Sequence, residues 1–233
     1  MGMYALTAET ARVRAGSWRG RDDLAYLVPL SAAATLTPAA LAQIRARLRD
    51  DGFDAVVTAA VGPSERDMLA ADGFAEHESL HLLRHDLTDL RARPHRSRRL
   101  RRGSRRDLDA ILAVDHQTFD PFWRLDRGGL HEAINATPVS RLRVVRASTV
   151  VGYAITGRAG NQGYLQRLAV HPAHQGKGLG AALVTDALHW LHRRQVATCW
   201  VNTQEANDAA LALYRAIGFR DEPHQLTVLR RDL

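Results

Sequence analysis

The stretch Gly163–Leu188, GYLQRLAVHPAHQGKGLGAALVTDAL, decides the fold. Tyr164 to Val170 is an apolar run of strand length, Pro172 interrupts it, and a glycine-rich loop follows. From about Gly178 to Arg193, Leu179, Leu183, Val184, Ala187, Leu188 and Leu191 recur at spacings of three and four, so a helix lays one apolar stripe on a sheet. Strand, glycine loop and helix together suit an anion. The first N–H groups of a helix lack partners, and its macrodipole adds about half a positive charge. Gly176, Gly178 and Gly180 allow a phosphate to approach bare backbone; the plainer alternative is a tight turn capping a helix without a ligand. Two nucleotide motifs fit poorly. With Ala181 the glycines match a loose G-x-G-x-x-A dinucleotide pattern, but His171 to Gln175 separate them from the strand end and few residues remain for further parallel strands. A phosphate loop of the Walker kind needs Ser or Thr after its lysine, and Gly178 follows Lys177.

The surrounding chain has 233 residues, 45% hydrophobic and 24% charged, which excludes wholesale disorder and a fibrous repeat. No apolar run reaches the ~20 residues that span a bilayer and the N-terminus has no signal-peptide core, so no membrane is expected and the location reads as cytoplasmic. Cys199 is the sole cysteine, which leaves no intrachain disulfide. The net charge of +7 is concentrated in residues 88 to 106, where nine Arg face one Asp and the rest of the chain is near neutral. That run lacks the interleaved aromatics that stack bases, so nucleic acid is not the expected partner and a solvated linker is. Lys177 is the single lysine.

Pro94 and Gly103 mark the boundary expected near residue 95. The two bodies share a pattern: Gly73 and Phe74 answer Gly218 and Phe219, each at the end of a helix and before a strand, and one added residue aligns Asp86 and Leu87 with Asp232 and Leu233. Upstream, a helix from about Pro38 to Arg49 with a strand Ala55 to Ala60 matches the helix from Gly178 to Arg193 with a strand Ala197 to Thr203. Before these, Leu108 to Phe119 and Gly128 to Ala136 read as helices and Arg141 to Arg146 and Val150 to Thr156 as strands, after a short strand near Leu100.

Residues from about 100 to 233 resemble the GNAT superfamily of acyl-CoA-dependent N-acetyltransferases. The resemblance rests on Gln175, Gly178 and Gly180, on the strand Leu168-Ala169-Val170, and on the run Asn207, Ala210, Leu213, Tyr214, Gly218 and Phe219. The stretch FDPFWRLD and the Asn207 to Phe219 run are most similar to members that modify ribosomal-protein N-termini, and the tandem layout is similar to mycothiol synthase. The resemblance implies an α/β fold with a mixed sheet and a division into a degenerate, loop-less N-terminal half (residues 1–93), an Arg-rich linker and first strand (94–106), and a catalytic domain (100–233). It implies acetyl-CoA as the cosubstrate and CoA as product. The amides of Gln175, Gly176, Lys177, Gly178, Leu179, Gly180 and Ala181 would hold the pyrophosphate, and Leu168, Ala169 and Val170 the pantetheine arm, with the Leu168 amide facing the thioester carbonyl. Asn207 would contact that arm or simply cap its helix. Tyr214 would be the general acid, Leu69 standing in its place in the first half. Phe119, Phe122, Trp123, Gln166 and Asn202 would border the acceptor.

Relatives often carry a glutamate where Gln166 or Asn202 stands, and an amide accepts no proton at neutral pH. The acceptor is therefore expected to be a weakly basic amine, an α-amino group or a small-molecule amine, attacking directly; a homodimer is compatible with this. His171 and His174 have no third ligand at matching spacing, so no metal is expected. A non-catalytic acyl-CoA sensor is the rival reading.

Overall fold

The computed structural model describes residues 2–90 and 100–233; the expected boundary near residue 95 and much of the arginine run lie outside the described residues. The elements are β1 (Tyr4–Ala8), β2 (Ala11–Ser17), β3 (Leu24–Pro29), α1 (Pro38–Asp50), β4 (Ala55–Thr58), α2 (Pro63–Ala71), β5 (Ala75–His85) and β6 (Leu100–Arg102), then α3 (Leu108–Thr118), α4 (Arg127–Asn135), β7 (Val139–Arg146), β8 (Val150–Ala159), β9 (Gln162–Val170), α5 (Leu179–His192), β10 (Thr198–Gln204), α6 (Asp208–Ile217), β11 (Arg220–Asp221) and β12 (Leu226–Asp232). They form two compact units, one of residues 1–82, 202–206 and 222–233, the other of residues 83–201 and 207–221.

In the first unit the strand order is β1-β2-β3-β4-β12-β5, antiparallel except for β3 with β4. Its β12 comes from the far end of the chain, setting Arg230 opposite Val57 and Leu226 opposite Leu80. Thr37 caps α1 by accepting from the Ala40 amide, and Pro38 occupies the first turn, where its missing N–H costs nothing. Ala40, Leu41, Ile44 and Leu48 then bury one face of α1 in a core that also contains Val13, Leu27, Phe74 and Leu229. The three strands β1–β3 carry no motif and are absent from the sequence reading. Their signal is alternation: in β2, Ala11, Val13 and Ala15 are buried and Arg12 and Arg14 exposed.

In the second unit β10-β9-β8-β7-β6 is antiparallel except for β10 with β9, and β11 pairs with the end of β5, Arg220 opposite Arg84. Strand β8 is buried from Val150 to Gly157, the continuous burial of a strand covered on both faces. One face packs on α5 and α6 through Leu165, Leu183, Leu191, Leu211 and Tyr214, the other on α3 and α4 through Leu108, Ile111, Leu130, Tyr153 and Ile155. The α/β class with a mixed sheet is as expected, and the helices and strands of this half fall within a few residues of their sequence-based limits.

The expected duplication appears in the helix ends. Gly73 and Gly218 both have positive φ, +87° and +111°. The amides of Phe74 and Phe219 donate to Leu69 and Tyr214, each at 3.1 Å, so Leu69 occupies in the first half the place of Tyr214 in the second. Beyond these glycines the copies diverge: β5 is continuous, whereas the second half breaks between β11 and β12, where Pro223 has no N–H for a ladder.

Candidate active site

Strand β9 stays paired with β8 along its whole length, from Gln162 opposite Ala159 to Val170 opposite Gly152. Its parallel ladder with β10 covers only Gln162, Gly163 and Tyr164, opposite Thr198, Cys199 and Trp200. Beyond Tyr164, the edge of β9 that carries Leu168, Ala169 and Val170 has no parallel neighbour among the described residues. Within the same stretch the β8 register shifts: Ile155 faces Arg167 and Thr156 faces Leu165, which leaves Gln166 as the extra residue of a bulge. The bulge breaks the alternation. Leu165 and Leu168 pack toward α5, while the consecutive Gln166 and Arg167 both reach the α3 and α4 side. There Gln166 Nε2 donates to Thr137 at 3.5 Å and Arg167 meets Asp115.

The glycine loop leads directly from this edge. Gln175 Nε2 donates to the Val170 carbonyl at 2.9 Å and Lys177 Nζ to the Ala173 carbonyl at 2.8 Å, so both side chains brace the loop. Gly176 and Gly178 have φ of +69° and +75°, a backbone that other residues adopt at a cost. A Cβ on Gly176 would meet nothing within 4 Å. Gly178 sits at the N-cap of α5, where no side chain caps the helix, and the first intrahelical bond there is from Ala182 to the Gly178 carbonyl. The amides of Leu179, Gly180 and Ala181 therefore precede the helical ladder. Gly180 serves packing: a Cβ there would stand 3.2 Å from Leu213 Cδ2 on α6. In the first unit β3 and β4 remain paired from Leu24 opposite Ala55 to Leu27 opposite Thr58, and Thr37 already occupies the N-terminus of α1. There the β3–β4 pair stays closed and the helix that precedes β4 is capped, unlike β9 and α5.

Asn207 is the N-cap of α6, its Oδ1 accepting from the Ala210 amide at 3.1 Å. Tyr214 is 5% exposed; burial first, and the Cys199 thiol second, push its phenol above the ordinary range. Cys199 is fully buried, and burial pushes its thiol up to about 12, so it is protonated at neutral pH. Of the expected acceptor residues, Phe119, Phe122, Trp123 and Gln166 are half-buried in the second unit, Phe122 and Trp123 edge to face at 5.1 Å. Asn202 is exposed and belongs to the first unit, because the division falls within β10.

Sequence reasoning missed one heavily bonded group. Asp115 on α3 is 0% exposed and accepts from Arg167 Nε at 2.9 Å, Arg167 Nη2 at 3.0 Å, the Leu125 amide at 2.8 Å and the Tyr153 hydroxyl. Arg167 Nη2 also donates to the Trp123 carbonyl at 2.7 Å, and its guanidinium lies 3.4 Å from the centre of the Phe119 ring. One signal was present: Asp115 follows Ile111 by four and Leu108 by seven, a charge on the buried stripe of an apolar helix. The other buried carboxylates of the unit are likewise paired, Asp107 with Arg101, and Asp186 with Arg141 and Arg143. Buried His85 accepts from the Leu87 amide through Nδ1 and bonds the Ile217 carbonyl, and burial lowers its pKa. Among the described residues no helix is long and apolar enough to cross a membrane.

Known proteins are similar to this chain in sequence or in fold. The chain is 38% identical over 72 residues to the ribosomal protein bS18 alanine N-acetyltransferase of Escherichia coli (strain K12), covering 31% of this chain and 49% of that protein. It is 37% identical over 76 residues to the N-alpha-acetyltransferase RimI of Mycobacterium tuberculosis, covering 31% and 46%. The chain thus spans about half the length of the curated relatives it matches. Among solved structures, a tandem GNAT protein from the clavulanic acid biosynthesis pathway superposes with a TM-score of 0.69 at 14% identity over 95% of this chain and 78% of that one. A GCN5-related N-acetyltransferase from Kribbella flavida gives 0.68 at 16% identity, over 98% and 89%. The family model for the acetyltransferase (GNAT) family matches residues 107–219, which span the open β9 edge, the glycine loop, Asn207 and Tyr214, and this stretch is a GNAT domain.

Proposed function

We propose that the chain is an acetyl-CoA-dependent N-acetyltransferase that moves an acetyl group to a primary amine, an α-amino group or a small-molecule amine, in the cytoplasm. The observation that carries this reading is the adjacency on one chain segment of a β9 edge without a parallel neighbour and an α5 N-terminus without a side-chain cap. The cosubstrate supplies an activated thioester; everything else falls to the chain. The amides from Gln175 to Ala181 hold the pyrophosphate at the positive end of α5. Leu168, Ala169 and Val170 pair with the pantetheine arm as a missing strand would, and the Leu168 amide stabilises the negative charge that develops on the carbonyl oxygen. Asn207, besides capping α6, borders that arm.

Tyr214 donates the proton to the departing sulfur. Burial keeps the phenol protonated at working pH, and a thiolate leaving into the same apolar surroundings is itself made more basic, which keeps the transfer feasible. Cys199 is not a nucleophile, being buried and protonated, which leaves direct attack by the amine. Phe119, Phe122, Trp123 and Gln166 frame the acceptor. Gln166 and Asn202 accept no proton, and each buried carboxylate of the second unit is engaged by arginine, so the amine arrives neutral or passes its proton through water to a remote group, and we prefer the first reading. An α-amine near ~7.8 arrives neutral far more often than a lysine near ~10.4. The likeness to alanine N-acetyltransferases supports the same class. The test is thiol release from acetyl-CoA with an alanine-initiated peptide, glycinamide as a weakly basic small amine, and an N-terminally blocked peptide carrying one lysine. Turnover of the first two above the third is expected. Tight acetyl-CoA binding with no turnover of any amine would mark an acyl-CoA sensor instead.

A further inference from the structure

We propose that Arg167 and Asp115 are positioning residues that hold Phe119–Leu125 as a fixed wall for the incoming amine, a role that rests on the acetyltransferase reading above. Between α3 and α4 this segment contains a single turn, Pro121–Trp123, so its backbone groups must find side-chain partners. They do so at both ends. The Leu125 amide donates to Asp115 at 2.8 Å, the Leu125 carbonyl meets the His116 ring at 2.8 Å, the Trp123 carbonyl accepts from Arg167 at 2.7 Å, and the Phe119 carbonyl accepts from Arg124 at 3.1 Å. The face of Phe119 is covered by the Arg167 guanidinium.

Packing alone does not call for this pair. A buried ion pair is often matched or exceeded in stability by apolar residues of similar size, and its best attested use is to fix one arrangement among several. Here one carboxylate ties α3 to β8 through Tyr153, to β9 through Arg167 and to the wall through Leu125. Arg167 can reach them because the Gln166 bulge turns two consecutive side chains to that side. The residue after Arg167 is Leu168, whose amide is assigned to the carbonyl oxygen. The wall and the oxyanion donor therefore hang on neighbouring residues of one strand, and a 1 Å misplacement of reacting groups can cost about 10²-fold in rate.

The experiment compares Arg167→Lys and the double variant Arg167→Met with Asp115→Asn against wild type, using acetyl-CoA with the alanine-initiated peptide and with glycinamide. Lysine keeps the charge but cannot make the forked contacts to Asp115, the bond to Trp123 and the stack on Phe119 together. It should lower kcat/KM for the amine about tenfold or more while KM for acetyl-CoA stays unchanged. The double variant leaves no buried charge unpaired and preserves an acceptor for the Leu125 amide, so its melting temperature should return close to wild type while amine kcat/KM stays low. A double variant that regains both stability and amine kinetics, or Arg167→Lys with wild-type amine kinetics, would overturn the proposal and leave the pair as packing. A wild type inert toward both amines would instead overturn the acetyltransferase reading.

Discussion

Leu229→Ala, a change four residues from the last residue of the chain, should loosen the N-terminal core. Leu229 is 2% exposed and packs in the core formed with Val13, Leu27, Leu41 and Phe74, and its amide donates to Thr58 Oγ1 on β4 at 2.9 Å. Replacing a buried leucine by alanine costs about 2–5 kcal/mol, since the surroundings collapse only partly into the space left. A domain is worth only about 5–15 kcal/mol in all. At about 1.4 kcal/mol per factor of ten, the open population of this unit rises roughly 30- to 4,000-fold. Amide hydrogen exchange read by mass spectrometry is the assay: peptides from β2, β3 and α1 should lose protection by that factor, and peptides from α5 and β8 should keep theirs. Loss confined to α5 and β8, with β2–β4 unchanged, would refute the assignment of β12 to the first unit.

Gly178→Glu should abolish acetyl-CoA binding in calorimetry with the circular dichroism spectrum intact, because it puts a carboxylate and a Cβ where φ is +75° at an uncapped helix. Tyr214→Phe should lower kcat by about 10² to 10⁴ with little change in CoA affinity; normal turnover would make Tyr214 a packing residue. A crystal soaked with CoA should show one molecule per chain, since β3 and β4 stay paired and Thr37 caps α1; a second one in residues 1–82 would contradict this. With a saturating cosubstrate, kcat/KM for the amine should rise with pH along the amine's own ionisation and level off above it, with no enzyme inflection near 6 to 7, where a buried glutamate base is tuned. The grounds are that Asp107, Asp115 and Asp186 are each paired with arginine and that both ring nitrogens of His85 are engaged.

What the sequence by itself determined is what lies close along the chain. The apolar stripe of α5, the glycines at positive φ before it, the Asn207 cap and the helix-ending pairs Gly73-Phe74 and Gly218-Phe219 each depend on a few consecutive residues, and periodicity and backbone preference make them readable. From them followed the fold class, the family and the loop. Only the tertiary structure decided the partner of β12, because a strand of alternating or apolar residues fits many edges and pairing is chosen between segments more than 140 residues apart, Arg230 opposite Val57. It decided the Gln166 bulge, which exists only relative to the register of β8, and through the bulge the side to which Arg167 points. It also decided the meeting of Arg167 with Asp115, 52 positions away. Taken singly, an arginine in a strand and an aspartate in a helix have no pattern to announce them; burying both charges is tolerable because each finds the other and Asp115 also accepts from the Leu125 amide and the Tyr153 hydroxyl, and that is a property of the assembled fold.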